Sequence, residues 1–396
     1  ENISGIITET GGTTSHSAIL ARALEIPAVL SVEGVASSLK NGDTVVVDGS
    51  EGAVIVNPDD NTVAEYSKKR DAFLAERKEL ENYRGRETKS ASGEVYELFC
   101  NIGKPEDAVK AVDADGEGVG LFRTEFLFMD RTSIPTEDEQ FEAYKKAALI
   151  LKGKSLIIRT LDIGGDKDIP YLGLEKEENP FMGFRAIRYC LKNRELFKSQ
   201  IKAILRASAF GDIKIMFPLI TTMDELREGK KLVAECKADL RNMGINFNEN
   251  IQVGVMVETA SAAVIADMLA KEADFFSIGT NDLTGYTMAC DRGNNDVSYL
   301  YSPLQPSVLR MIKRTIECGV QNGISVGMCG EAAANKLMIP LLISFGLTEF
   351  SVSAPSVLNV RKIISTWTKE EADKVTAKVL EMSTQQEIVE YLKSVV

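Results

Sequence analysis

Eight strand-like apolar runs, each followed by a polar turn and a helix-period segment, occupy the chain from residue 95 onward. In chain order they are VYELFCNIG, GVGLFRTEF, LIIRTLDIGG, IKIMFPLI, IQVGVMVE, FFSIGTND, ISVGMCGE and EFSVSA. Eight strand–helix units in a row are typical of a (β/α)8 barrel. A doubly wound sheet would need fewer strands and a phosphate-binding glycine loop after the first. The pattern therefore predicts an α/β fold with a C-terminal TIM-type barrel.

Two segments of different character precede this repeat. Residues 1–59 alternate short strand and helix patterns, with DTVVVDG and AVIVN as a hairpin-like pair. Residues 60–87 mix basic and acidic side chains, and their apolar positions recur every seven residues at Tyr66, Phe73 and Leu80. This spacing predicts an exposed helix over about 61–84 with a thin apolar seam. We expect three parts: a partial domain at 1–59, a helical linker at 60–87 and the barrel at 88–396.

Composition and charge exclude several functional classes. The formal net charge of −12 argues against sequence-independent binding of nucleic acid, which needs a basic face. No apolar run is long enough to insert into a membrane. None of the six cysteines forms a CxxC pair, which is typical of reduced thiols. We predict a cytoplasmic protein. Because the chain starts with Glu inside a strand pattern, we also expect it to be part of a longer protein.

Charged and reactive residues follow the predicted barrel strands, where catalytic side chains of this fold lie. Three arginines suit a small, multiply charged anion, because guanidinium binds carboxylate and phosphate oxygens through paired hydrogen bonds. Two carboxylates offer the hard oxygen ligands that Mg²⁺ prefers. A cysteine thiol could deliver a proton to carbon. The candidates are Arg123, Arg159, Glu258, Asn281, Asp282, Arg292 and Cys329.

The sequence around these residues resembles one family closely. GVGLFRTEFLFMDR, LIIRTLDIGGDK, EENPFMGFRAIR, VGVMVET, FFSIGTNDLTGYTMACDRGN and GMCGE are similar to enzyme I of bacterial sugar phosphotransferase systems, the phosphoenolpyruvate–protein phosphotransferases. GGTTSHSAILARALEIPAV, which contains the chain's single histidine, His16, resembles the family's phosphohistidine signature. The resemblance covers essentially the whole chain. It implies that residues 1–59 are part of a phosphohistidine swivelling domain.

The resemblance also implies a role for each candidate. His16 would accept the phosphoryl group of phosphoenolpyruvate and pass it to the phosphocarrier protein HPr, the first step of sugar uptake by this system. Substrate would be held by Arg123, Arg159, Asn281, Asp282 and Arg292, with Arg185 as a further lining residue. Glu258 and Asp282 would bind Mg²⁺, and Cys329 would protonate the enolate to pyruvate. A homodimer through the barrel is expected.

The chain departs from the family pattern at a few positions. Thr13 stands where a basic residue is usual, Ala260 where Pro is usual, and Gly285 where Gln is frequent. The Ala260 exchange predicts a local loop change. The helical subdomain with which relatives dock HPr has no counterpart in the sequence. We therefore expect this chain to bind phosphoenolpyruvate and Mg²⁺ but to be impaired in transfer to HPr.

Three other functions fit part of the pattern. A pyruvate phosphate dikinase or phosphoenolpyruvate synthase would also need an ATP-binding domain. A Mg²⁺-dependent pyruvate-enolate lyase or aldolase would explain the arginines and carboxylates but not the His16 segment. A non-catalytic phosphoenolpyruvate sensor would keep its function without His16 or Cys329. For His16 taken alone, a helix cap or a surface residue is the simpler interpretation.

Overall fold

The computed structural model describes residues 3–10, 21, 26–129, 131–164, 169–291 and 293–396. Within it the chain divides into two compact units, Glu1–Asn82 and Tyr83–Val396. The division falls within the segment that the sequence predicts as a linker. The three-part division itself stays a prediction.

The described part of the first unit contains two small sheets. One pairs β1 (Ile6–Ile7) in parallel with β2 (Ala28–Val29). The other is the predicted hairpin, in which β3 (Val45–Asp48) pairs antiparallel with β4 (Ala53–Val56). A single helical turn, α1 (Val35–Ser38), lies between the two sheets in sequence. The helix predicted for SAILARAL falls almost wholly outside the described residues.

The first unit ends in α2 (Asp60–Leu80), followed by a 3-10 turn, so the predicted charged helix is confirmed with a slightly earlier end. The Asp59 carboxylate accepts a hydrogen bond from the Thr62 backbone N–H and caps the helix. No side chain of α2 is buried, and Phe73 is 60% exposed. The helix therefore depends on its cap and its charged side chains rather than on a core.

The second unit is a closed barrel of eight parallel strands that follow one another around the ring in chain order, which confirms the predicted fold. The strands are β5 (Glu97–Ile102), β6 (Val119–Arg123), β7 (Leu156–Arg159), β8 (Ile213–Phe217), β9 (Val253–Val257), β10 (Phe275–Gly279), β11 (Ser325–Cys329) and β12 (Glu349–Val352). They coincide with the eight apolar runs.

Helices surround the strands, and several begin with a capping box, Thr followed three residues later by Glu. They are α3 (Asp107–Asp113), α4 (Glu137–Leu151), α5 (Ala186–Lys192), α6 (Arg194–Ala207), α7 (Met223–Asn242), α8 (Ala260–Val264), α9 (Ala266–Leu269), α10 (Thr280–Met288), α11 (Pro306–Gln321), α12 (Ile339–Phe345), α13 (Val357–Thr366), α14 (Lys369–Glu381) and α15 (Gln385–Val395). The last two confirm the predicted terminal helices.

Successive strand residues alternate between two separate buried clusters. In β10, Phe276 and Ile278 belong to the large cluster shared with the helices, whereas Phe275 belongs to a small cluster from inside the barrel. The interior is tightly filled at Gly254, because a Cβ atom there would lie 2.5 Å from carbons of the Phe275 ring. The barrel is thus a packed core that presents chemistry only at its ends.

No helix in the described segments combines the length and the apolar composition needed to cross a membrane.

Candidate active site

The candidate active site lies at the carboxyl ends of the barrel strands. Arg123 ends β6 and Arg159 ends β7, and the two are register partners on neighbouring strands. Glu258 follows β9, Asp282 lies in the first turn of α10 after β10, and Cys329 ends β11. Because parallel strands end at the same side of a barrel, the fold brings these side chains to one mouth.

Arg159 is held between two acidic side chains. Its Nη2 donates to Glu125 Oε1 at 2.8 Å, and its Nη1 lies 3.0 Å from Asp162 Oδ2. Glu125 Oε1 also accepts from the Asp162 backbone N–H at 3.2 Å. Burial disfavours the charged guanidinium, yet the adjacent carboxylates keep the pKa of Arg159 above its usual value. Arg159 is therefore a fixed, permanently charged group at the mouth.

Arg185 crosses the mouth from the segment before α5. Its Nε and Nη2 donate to Asp162 Oδ1 at 3.0 and 2.7 Å, and Nη2 also donates to Asp282 Oδ2 at 3.2 Å. Its Nη1 donates to the Tyr286 hydroxyl at 3.2 Å, and that hydroxyl donates in turn to the Phe181 carbonyl. The Arg185 guanidinium is thus buried and bound on three sides.

Three carboxylates converge beside Arg185, namely Asp162, Glu258 and Asp282, each with one oxygen within 4.8 Å of the others. Within the described part of the chain, Glu258 accepts one hydrogen bond, from the Leu219 N–H at 2.6 Å, and forms no ion pair. Burial, reinforced by the other two acids, raises the pKa of Glu258. The cluster is short of positive charge, and a divalent cation with oxygen ligands fits it.

Cys329 lies at the inner end of the mouth. Its Sγ accepts a hydrogen bond from the Ser277 hydroxyl at 3.4 Å. Burial raises the pKa of Cys329 to about 11, against the opposing effects of Ser277 and Arg159. The side chain is therefore a thiol at neutral pH, able to give a proton. After it comes Gly330 with φ +131°, where a Cβ would lie 2.5 Å from Thr280 Oγ1.

Two sequence profiles and a set of curated relatives match the chain. The profile "PEP-utilising enzyme, PEP-binding domain" covers residues 77–368, and "PEP-utilising enzyme, mobile domain" covers residues 1–52. A protein of Bacillus subtilis (strain 168) named phosphoenolpyruvate-protein phosphotransferase is 51% identical over 393 residues, which are 99% of this chain and 69% of that protein. Proteins of the same name from Staphylococcus carnosus (strain TM300) and Staphylococcus aureus (strain Mu50 / ATCC 700699) are 48% and 46% identical, over 99% and 100% of this chain and 69% of each relative.

The chain belongs to the phosphoenolpyruvate-protein phosphotransferase family. The resemblance predicted from its motifs is thereby confirmed over nearly its whole length. The relatives are longer than this chain, which covers about two thirds of each.

Some expectations concern residues that the structure does not describe. His16 and Thr13 lie outside the described residues, as does Arg292. Asn281 is described, and its Oδ1 would lie 3.7 Å from a Cβ at Gly330, which places it beside Cys329. Of the seven predicted mouth residues, the structure thus places six together. Their roles as phosphotransferase residues stay predictions.

The structure adds residues to which sequence reasoning assigned no chemistry. Asp162 follows β7 by three residues, so the strand-end rule that selected Arg159 could have selected it too. Glu125 follows β6 by two residues, and the same rule could have selected it. Tyr286 lies one turn beyond Asp282 on α10, and no pattern in the sequence indicates that its hydroxyl reaches Arg185. Together these side chains orient two of the arginines.

One departure from the phosphotransferase pattern has a simple structural explanation. Ala260 is the first residue of α8, and the Thr259 hydroxyl caps that helix by accepting from the Ala262 N–H at 3.0 Å. The first helical position favours Pro but also accepts Ala. The exchange therefore leaves a capped helix start here, and the local loop change relative to the family stays a prediction.

Proposed function

We propose that this chain transfers the phosphoryl group of phosphoenolpyruvate to His16, releases pyruvate, and passes the group on to the phosphocarrier protein HPr, with the last transfer impaired in this chain. This would be the first step of the sugar phosphotransferase system. The observation that carries the proposal is the barrel mouth, where arginines and carboxylates converge, in a chain about half identical to proteins named for this reaction.

The arginines of the mouth hold the substrate. Phosphoenolpyruvate carries a carboxylate and a phosphate, and guanidinium groups bind both kinds of oxygen through paired charge-assisted hydrogen bonds. Arg123 and Arg159 end adjacent strands, which suits two groups of one small anion. Arg185, Arg292 and Asn281 complete the set of substrate ligands. Phosphoryl transfer depends mainly on such positioning and charge neutralisation.

Glu258 and Asp282 hold Mg²⁺. They fit this ion because both offer hard oxygen donors within one carboxylate cluster, in which Glu258 has no described ion pair. When bound, Mg²⁺ neutralises charge on the substrate oxygens. Both oxygens of Asp162 already accept from arginines, so we assign this residue to orienting Arg159 and Arg185.

Bond changes in the reaction follow from these positions. The bond between phosphorus and the enol oxygen breaks as a ring nitrogen of neutral His16 forms its bond to phosphorus. The electron pair stays with the departing enolate. The Cys329 thiol then gives its proton to the enolate carbon, which yields pyruvate, and solvent returns a proton to the sulfur. Ser277 donates to the sulfur and stabilises it while it carries negative charge.

Domain roles, location and assembly are part of the same proposal. Residues 1–59 belong to the domain that carries His16, residues 60–87 link it to the barrel, and residues 88–396 bind phosphoenolpyruvate. A cytoplasmic location is supported by six cysteines that are all free. The barrel forms a homodimer, and sedimentation that shows only monomer at high concentration would contradict this.

Two substitutions test the function. His16→Ala should abolish labelling of the chain and of HPr by labelled phosphoenolpyruvate, because the acceptor nitrogen is gone. Cys329→Ala should abolish sustained pyruvate release, because the enolate lacks its proton donor. As a control, Cys318→Ala removes a thiol remote from the mouth in α11 and should leave both rates unchanged. If both site variants retained wild-type rates, the chain would not be a phosphotransferase.

A further inference from the structure

Arg185 occupies a position that a substrate ligand alone would not need. Its Nη2 touches two of the three clustered carboxylates at once, Asp162 Oδ1 at 2.7 Å and Asp282 Oδ2 at 3.2 Å. Arg159, by comparison, reaches Asp162 but makes no described contact with Asp282 or Glu258. Arg185 therefore touches two members of the carboxylate cluster, Asp162 and Asp282, through one nitrogen.

A second set of contacts would hold Arg185 at the mouth even without Asp282. Asp162 accepts from both Nε and Nη2, and the Tyr286 hydroxyl accepts from Nη1. If the contact with Asp282 broke, one Nη2 N–H would be released while the guanidinium plane stayed anchored by the other two partners. The released donor would then be available to an anion in the mouth.

We propose that Arg185 is an internal counter-ion of the carboxylate cluster, which a divalent cation displaces from Asp282 and which thereby becomes available to the substrate anion. The proposal rests on the proposed function for the identity of the metal and the anion. Asp282 can satisfy the guanidinium or a metal ion, and two cations within a few ångströms of each other repel in a buried site. Metal binding therefore prepares the anion site, and Arg185 weakens metal binding until an anion arrives.

A matched pair of variants tests this role through metal binding itself. Arg185→Gln removes the charge beside Asp282, and Arg188→Gln removes an equal charge three residues away. Arg188 donates to the carbonyls of Met182 and Gly183 and to the Thr221 hydroxyl, not to the cluster. Mn²⁺ is the probe, because its free and bound forms are counted directly by electron paramagnetic resonance. Oxalate, a small dianion shaped like the pyruvate enolate, is the anion probe.

Without oxalate, we expect Arg185→Gln to bind Mn²⁺ roughly five- to fiftyfold more tightly than the wild type, within the usual range of coupling between sites. Arg188→Gln should stay within about twofold of the wild type by the same measure. In the presence of Mn²⁺, Arg185→Gln should bind oxalate more weakly than the wild type. Unchanged or weaker Mn²⁺ binding by Arg185→Gln would overturn the proposal.

Arg185→Lys serves if the glutamine variant does not fold. A lysine ammonium keeps the charge but cannot span Asp162, Asp282 and Tyr286 together. Its Mn²⁺ affinity should therefore exceed that of the wild type, and an affinity equal to or below it would contradict the proposal. The measurement needs no turnover. If His16 of the wild type were not phosphorylated by phosphoenolpyruvate, the proposed function would be refuted. The role of Arg185 is decided separately, by the Mn²⁺ affinities alone.

Discussion

Arg361 on α13 offers a clear test of how the barrel is held together at the end opposite the mouth. Its Nε donates to Thr88 Oγ1 at 2.9 Å, and its Nη1 donates to the Tyr83 carbonyl at 3.1 Å and to the Asp115 carboxylate. Its Nη2 donates to the Asp115 carbonyl at 2.8 Å and lies 3.5 Å from Glu117 Oε1. The side chain is 2% exposed. Arg361 thus fixes the start of the second unit to the barrel.

Arg361→Met keeps an unbranched apolar side chain in place of the arginine stem and removes every donor. Breaking a buried ion pair by removing one partner costs about 3–5 kcal/mol. Asp115 and Glu117 keep roughly a third of their exposure, 28% and 30%, so water compensates them in part. We therefore take the lower end, about 3 kcal/mol. For a unit the size of Tyr83–Val396, an unfolding entropy of about 0.7 kcal/mol/K converts this to a Tm lower by roughly 4 to 5 °C.

Differential scanning calorimetry of the barrel transition measures this effect. Arg314→Met is the matched control, because Arg314 pairs with Asp267 at 2.8 Å on the surface with its side chain 47% exposed. An exposed pair contributes about 0–1 kcal/mol, so the control should lose less than about 1.5 °C. Mn²⁺ binding at the mouth should be unchanged in both variants. A Tm of Arg361→Met within about 1 °C of the Tm of the control, roughly the calorimetric error, would mean that the buried network contributes little and that the reasoning is wrong.

Three further predictions follow from the barrel interior. Cys329→Ala should stop sustained pyruvate release while the variant keeps the wild-type Tm to within about 2 °C, since a small buried side chain is lost; normal turnover would exclude Cys329 as the proton donor. Burial, with help from Glu97, raises the pKa of Glu349 to about 8, so native protein binds this proton more tightly than unfolded protein does. The contribution of this proton to the free energy of unfolding is complete below about pH 4.5. It is lost as the pH rises toward 8, by at most about 1.4 kcal/mol per pH unit. The free energy of unfolding, measured in urea, should therefore fall less between pH 5 and pH 8 for Glu349→Gln than for the wild type. Equal falls in the two proteins would contradict this. Gly254→Ala should cost about 1–3 kcal/mol because its Cβ meets the Phe275 ring, and adding Phe275→Leu should restore part of the loss; a purely additive pair would argue against this contact.

The barrel could be predicted because its strands carry a strong signal. Parallel strands covered on both faces are continuous apolar runs, and each run here is followed by turn residues and a helix period. The parallel sheet of the first unit is different. β1 and β2 have two residues each, and their parallel pairing joins positions that no local pattern connects.

Within the active site, residue types were predictable and their pairing was not. Arg159 and Glu258 follow strands, and the fold alone brings strand ends together. The partner of each arginine depends on distances across the mouth between residues such as Arg185 and Asp282, 97 positions apart. Arg361 and Asp115 are 246 positions apart and sit in an ordinary helix and an ordinary turn. Glu349 opens β12 in EFSV, and nothing in that run indicates that its carboxyl is buried.

The most direct test of the proposed function is the mass of the intact chain after incubation with phosphoenolpyruvate and Mg²⁺. Because His16 is the single histidine, a phosphohistidine in this chain can lie only on this residue. We predict a gain of one phosphate in the wild type, reversed by excess pyruvate, and no gain in His16→Ala. A wild-type chain that gains no phosphate, or a phosphate that persists in His16→Ala, would contradict the proposal.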